Sequence, residues 1–188
     1  NPEYFETTGG VSSSPTVADG TVFVGSPTAN LYALDAITGE QQWRFQMGDE
    51  VYSSPTVADG TVFVGSDDTN LYAVDAATGV QQWRFRTGGK VYSSPTVADG
   101  TVFVGSDDNN LYAVDATTGE QQWRFKTDRR VISSPTVAGG TVFVGSDDDN
   151  LYAVDVTTGE QQWHFVTDSW IKSSPAVADG TVFVGSHD

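Results

Sequence analysis

The sequence predicts an all-β protein, a β-propeller built from four-stranded antiparallel blades. Three observations carry this expectation. The 188-residue chain repeats itself every 40 residues. Each repeat holds four short runs rich in β-branched and aromatic residues, bounded by Gly, Asp or Pro, so helix is not competitive. Asp-Gly separates the first two runs (Gly139-Gly140 in the fourth copy), and such a loop suits a type I′ hairpin turn, which needs positive φ at both positions. A lone blade cannot bury both faces, whereas blades stacked around an axis can.

The full copies span 11–50, 51–90, 91–130 and 131–170, with a partial fifth copy at 171–188. The second and third differ at seven of forty positions. Residues 1–10 are in phase, Phe5 falling where Phe45, Phe85, Phe125 and Phe165 fall, so they are expected to supply the outer strand of the closing blade. The whole of 1–188 then reads as one propeller domain. The closing blade lacks its third strand. Three closures remain open: a five-blade ring with one blade incomplete, further C-terminal residues in a larger ring, or two chains joined edge to edge as a homo-oligomer.

In the second copy, Val51–Ala58 reads as the innermost strand, ending in Thr56-Val57-Ala58. Its Ser53-Ser54-Pro55 recurs in every copy and suits a crowded axis, with small residues and no proline donor. Thr61–Gly65 follows as an apolar run, which implies burial on both faces. After the loop Asp67-Asp68-Thr69-Asn70 comes Leu71–Asp75, the turn Ala76–Gly79, and the outer strand Gln81–Phe85 with Trp83 and Phe85 on one face.

Nine basic residues stand against 25 acidic ones, for a net charge of −16. That balance disfavours nucleic acid and anionic membranes as partners. It also suits a protein from a high-salt environment, where salt screens carboxylate repulsion. Cysteine is absent, which excludes disulfides and thiolate chemistry. No run of 18 apolar residues could form a membrane-spanning helix.

The pattern Leu-Tyr-Ala-Val-Asp-x-x-Thr-Gly-x-x-x-Trp-x-Phe at Leu71–Phe85 recurs at Leu31–Phe45 (with Leu34 for Val), Leu111–Phe125 and Leu151–Phe165. It resembles the pyrroloquinoline-quinone (PQQ) type propeller repeats, a BamB-like family that also includes quinoprotein alcohol dehydrogenases and has haloarchaeal look-alikes. The resemblance implies a tryptophan-docking motif between blades, formed here by Asp35 and Trp43, Asp75 and Trp83, Asp115 and Trp123, and Asp155 and Trp163. It also implies an extracytoplasmic or cell-surface location.

Strands running alternately up and down put the second-to-third loops and the blade-to-blade connections on one face. Most differences between copies fall there, so any binding site is expected on that face. Asp67 and Asp68, Asp107 and Asp108, and Asp147 and Asp148 are candidate calcium ligands, weighed against plain acidic, solvated loops. Arg129, Arg130, Trp170 and Lys172 form a basic and aromatic departure suited to anchoring an acidic or peptide partner, weighed against drift near a terminus. Arg44, Arg84 and Arg124 read as surface residues paired with carboxylates.

Regular blades without a distinguished catalytic set lead to a non-catalytic scaffold for protein interaction or assembly, with a protein partner and no required cofactor. Two alternatives come from other classes. One is a fragment of a quinoprotein dehydrogenase binding PQQ and calcium, although no inserted loop breaks the repeat. The other is a multivalent small-ligand or sugar-binding propeller with one shallow site per blade.

Overall fold

The computed structural model describes residues 10–188; the expected strand at residues 1–10 lies, but for Gly10, outside them. The described residues hold strands and turns and no helix, hence no helix long and apolar enough to cross a membrane.

The first blade comprises β1 (Thr16–Ala18), β2 (Thr21–Ser26), β3 (Asn30–Asp35) and β4 (Gln41–Gln46). The second comprises β5 (Thr56–Ala58), β6 (Thr61–Gly65), β7 (Asn70–Asp75) and β8 (Gln81–Arg86). The third holds β9 (Thr96–Ala98), β10 (Thr101–Ser106), β11 (Asn110–Asp115) and β12 (Gln121–Lys126). The fourth holds β13 (Thr136–Ala138), β14 (Thr141–Gly145), β15 (Asn150–Asp155) and β16 (Gln161–Val166). A two-stranded sheet of β17 (Ala176–Ala178) and β18 (Thr181–Phe183) begins a fifth. Every sheet runs in sequence order with antiparallel neighbours.

The first hairpin of each blade turns as its sequence demands. In the third blade Ala98 pairs with Thr101, and Asp99 and Gly100 between them take φ of 46° and 72°. Gly139 and Gly140, at 57° and 77°, make the same turn. Both positions lie in the left-handed region that favours Gly and tolerates Asp.

The innermost strand is shorter than expected. Only Thr56–Ala58 of Val51–Ala58 pairs within its own blade. Ser53, Ser54 and Thr56 bond across to the next blade. Ser53 Oγ donates to Ser93 O at 3.0 Å, Ser54 N donates to Ser94 Oγ at 2.9 Å, and Thr56 Oγ1 donates to Pro95 O at 2.6 Å. The same stitch joins the third blade to the fourth and, through Ser133 and Thr136, the fourth to the fifth. Ser53 Oγ also accepts from Gly65 N at 3.0 Å, so a fully buried hydroxyl ties two blades together.

The core lies between blades. Phe63, Leu71, Ala73 and Trp83 of the second blade pack on Val102, Val104, Tyr112 and Val114 of the third. Successive residues of the second strand therefore serve opposite interfaces, which explains an apolar run without alternation. The series stops at β16, where Trp163, Phe165 and Val166 are exposed beside Phe183. Trp163, Phe165 and Phe183, with Leu151, Val182 and Val184, line an apolar cavity of about 610 Å³.

Candidate functional site

The paired Asp and Trp positions build the joints between blades. Asp75 Oδ1 accepts from Ala77 N, Thr78 N and Thr78 Oγ1 at 3.2, 2.8 and 2.7 Å, which closes the turn after β7. Asp35, Asp115 and Asp155 do the same. These turn donors hold all four carboxyls below the usual range. The turn so fixed receives the preceding blade's tryptophan. Trp43 Nε1 donates to Ala76 O at 3.0 Å, Trp83 to Ala116 O at 3.0 Å and Trp123 to Val156 O at 3.1 Å. Among the described residues no such turn receives Trp163, which is 41% exposed, against 8–9% for the other three.

The two carboxylates of each Asp pair serve different partners. Asp68 Oδ2 accepts from Tyr72 Oη at 2.6 Å and from Gly48 N of the preceding connection at 2.8 Å, and Asp68 Oδ1 accepts from Asn70. Asp108 and Asp148 repeat this latch with Tyr112 and Tyr152. Burial opposes ionisation of Asp68, but the Tyr72 hydroxyl, Asn70 and Gly48 outweigh it and hold the carboxyl low. Burial and the carboxylate together push Tyr72 up to about 12. The latch was not anticipated, although Asp and Tyr four residues apart in three copies signalled it.

The first carboxylate of each pair turns instead to the blade-to-blade connections. Asp67 Oδ2 meets Lys90 Nζ at 2.7 Å and Tyr92 Oη at 3.1 Å. Asp147 Oδ2 accepts from Arg130 through Nε at 3.0 Å and NH2 at 2.7 Å, and Asp107 lies 3.8 Å from the same guanidinium. Burial pushes the Asp107 carboxyl up; Arg130 pulls it back, and Asp147 and Asp67 add to the rise. The Lys90 ammonium is held well above its usual range, by Asp67 first and Tyr92 second. Together these residues form a rim on the variable face.

The rim also gathers the late basic and aromatic residues. Asn109, Asp128, Arg129, Arg130, Asp147 and Trp170 line a cleft of about 200 Å³. Lys172 Nζ stands 4.5 Å from the centroid of the Trp170 ring, and the His187 ring packs at 6.1 Å. Arg130 is engaged by carboxylates and so is not free for an acidic partner. Arg44, Arg84 and Arg124 form no salt bridge among the described residues, contrary to expectation. They sit across the strand pair from Tyr32, Tyr72 and Tyr112.

The Asp pairs do not come together as a calcium site of clustered carboxylates. Among the described residues no three His, Cys or carboxylate side chains converge as metal ligands. The paired carboxylates diverge, each toward hydrogen-bond donors of its own.

Blades of this architecture, joined by tryptophan and carrying varied residues on one rim, define a β-propeller of the PQQ-type class. The chain belongs to the family described as outer membrane protein assembly factor BamB, which matches residues 4–92 and 86–188. Among solved structures it is similar to BamB from Moraxella catarrhalis, at 19% identity and a TM-score of 0.81 over 93% of this chain and 55% of that one. The computationally designed Ika8 protein matches at 16% identity and 0.83, over 92% of this chain and 54% of that one. Quinohemoprotein alcohol dehydrogenase ADHIIG from Pseudomonas putida HK5 matches at 21% and 0.75, over 96% and 39%. At these identities the likeness is one of fold. The chain spans about half the length of the first two structures. No curated protein matches it.

Proposed function

We propose that this chain is a non-catalytic propeller scaffold that binds a protein partner through its variable rim, in an assembly role. One observation carries the reading. Equivalent positions that build the blades are nearly invariant between copies, whereas one rim position reads Glu50, Lys90, Arg130 and Trp170, and its neighbour in the connection reads Asp49, Gly89, Arg129 and Ser169. The fold collects these unlike residues on one face, where ion pairs fix several of them. A surface of unlike, fixed groups suits one asymmetric partner better than one identical ligand per blade. Family membership supports an extracytoplasmic setting for that partner.

Cross-linking of the chain in its native host, followed by mass spectrometry, tests this. A partner captured by the wild type should be lost from Arg129→Glu and Trp170→Ala, and kept by Glu120→Lys on the opposite face. A partner that persists through both rim changes would overturn the assignment.

A further inference from the structure

The repeat shows where the rim's ion pairs fall short. The first carboxylate of each Asp pair stands between two blade-to-blade connections. Its N–H donates to the last residue of the connection before it, Asp67 to Glu50 O, Asp107 to Lys90 O and Asp147 to Arg130 O. The matching residue of the connection after it is Lys90, Arg130 and Trp170 in turn. Asp67 thus lies between glutamate and lysine, and Asp147 between arginine and tryptophan. Of the three, Asp107 alone has a cation on either side, yet both turn away from it. Lys90 Nζ lies 2.7 Å from Asp67, and Arg130 lies 2.7 Å from Asp147 but 3.8 Å from Asp107. Each outer carboxylate has one cation within reach and takes it. Ile132 stands where Tyr92 stands beside Asp67, and offers no donor. Asp107 Oδ1 is buried without a partner, and Oδ2 has only the distant guanidinium.

We propose that Asp107 is a proton-operated switch for the two rim cations. With Asp107 protonated, Lys90 and Arg130 stay on the outer carboxylates, the arrangement seen here. With Asp107 charged, Arg130 is drawn back toward it. A shift of only about 1 Å brings Arg130 NH1 within hydrogen-bond distance of Asp107 Oδ2, and the arginine side chain is 47% exposed. The groups facing Asp107 set the balance. Burial keeps the proton on, Arg130 and Lys90 draw it off, and Asp147 and Asp67 help to hold it, so the carboxyl is raised overall. Asp108, beside it, is turned to Tyr112 and Gly88. Protonation takes the five charged groups of the rim from one net negative charge to none. Arg130 also borders the cleft with Arg129 and Trp170. The proton therefore reaches the surface assigned above to the protein partner, an assignment on which this consequence rests.

The test is a pH titration of the full chain by NMR. It follows the Asp107 carboxyl carbon and the Arg130 Nε–H group, assigned with Asp107→Asn and Arg130→Lys. The Asp107 midpoint should lie above the usual ~3.9, and Arg130 Nε should move with that same midpoint. Trp170→Lys gives Asp147 a cation of its own and releases Arg130 to Asp107. It should lower the Asp107 midpoint by about 1 pH unit or more. Glu50→Lys does the same for Asp67 and Lys90 from the other end, and keeps the test open should the first change perturb folding. Trp170→Phe should leave the midpoint in place. An ordinary Asp107 midpoint, an Arg130 signal that ignores it, or a midpoint unmoved by both lysine variants would overturn the switch. Partner capture should change in yield across the midpoint for the wild type and not for Asp107→Asn; a flat wild-type yield would overturn the link to the partner. Since the titration needs no partner, the two readings fail separately. Rim-dependent capture with an ordinary Asp107 titration sinks the switch alone. The expected titration alongside capture that ignores the rim sinks the functional reading and leaves the switch.

Discussion

Replacing Gly119 with alanine tests whether the blades are held by a tryptophan ring seated on a bare turn. Gly119 has φ of +74°, and a Cβ there would lie 2.7 Å from Trp83 Cδ2 and 2.9 Å from Cε3 and Cγ. Comfortable carbon contacts lie near ~3.5–4.0 Å. The ring cannot simply swing away, because its Nε1 is bonded to Ala116 O at 3.0 Å. Alanine at left-handed φ costs roughly 1–2 kcal/mol, and overpacking adds about 1–3 kcal/mol. Gly39 provides the matched control. Its φ is +73°, yet no described atom comes within 4 Å of the same Cβ. Gly39→Ala should show the backbone cost alone. In urea denaturation followed by circular dichroism, with unchanged slopes, Gly119→Ala should lose about 1–3 kcal/mol more than Gly39→Ala. Equal losses would refute the reasoning.

Four further outcomes follow from the joints and the axis. Tyr112→Phe should cost about 1.5–3 kcal/mol in the same assay, the value of a hydrogen bond to a charged group, since Tyr112 Oη meets Asp108 at 2.6 Å. Because the folded pKa of Tyr72 is raised to about 12, its contribution is full below the unfolded value near ~10 and is lost as pH rises through the folded one. Alkaline titration should therefore show late tyrosinate absorbance that Asp68→Asn brings earlier. Ser93→Ala should cost about 1–3 kcal/mol by stripping Gly105 N of its buried acceptor and the Ser133 carbonyl of its donor, read from the urea midpoint. Trp123→Phe should destabilise more than Trp163→Phe, and acrylamide should quench Trp163 more than Trp43, Trp83 or Trp123, because those three are covered by the next blade's turn.

The period, the hairpin turns and the burial of the second strand were legible because each depends on residues close in sequence. Asp99-Gly100 dictates its turn whatever lies beyond it. The innermost strand was overextended because Ser53 Oγ and Ser54 N donate to partners 40 residues away, and local pattern cannot show that exchange. The Asp pairs misled for a related reason. Asp67 and Asp68 are chemically alike, but alternation along the chain aims one at Lys90 and Tyr92 and the other at Tyr72. The variable face was identified correctly as the place where copies diverge, but the engagement of Arg130 by carboxylates became visible only once residues 107, 130 and 147 were brought side by side.

The stitches around the axis share one arithmetic property. Each inter-blade contact of a given kind spans a fixed offset: 40 residues for the serine bonds, 39 for threonine to proline and 33 for tryptophan to the next turn. Deleting or duplicating any whole 40-residue unit therefore recreates the joint that it interrupts. Copy number can change by unequal exchange between near-identical units without repairing a single interface. The rim residues take no part in those joints, so a newly gained blade can acquire its own surface chemistry one substitution at a time.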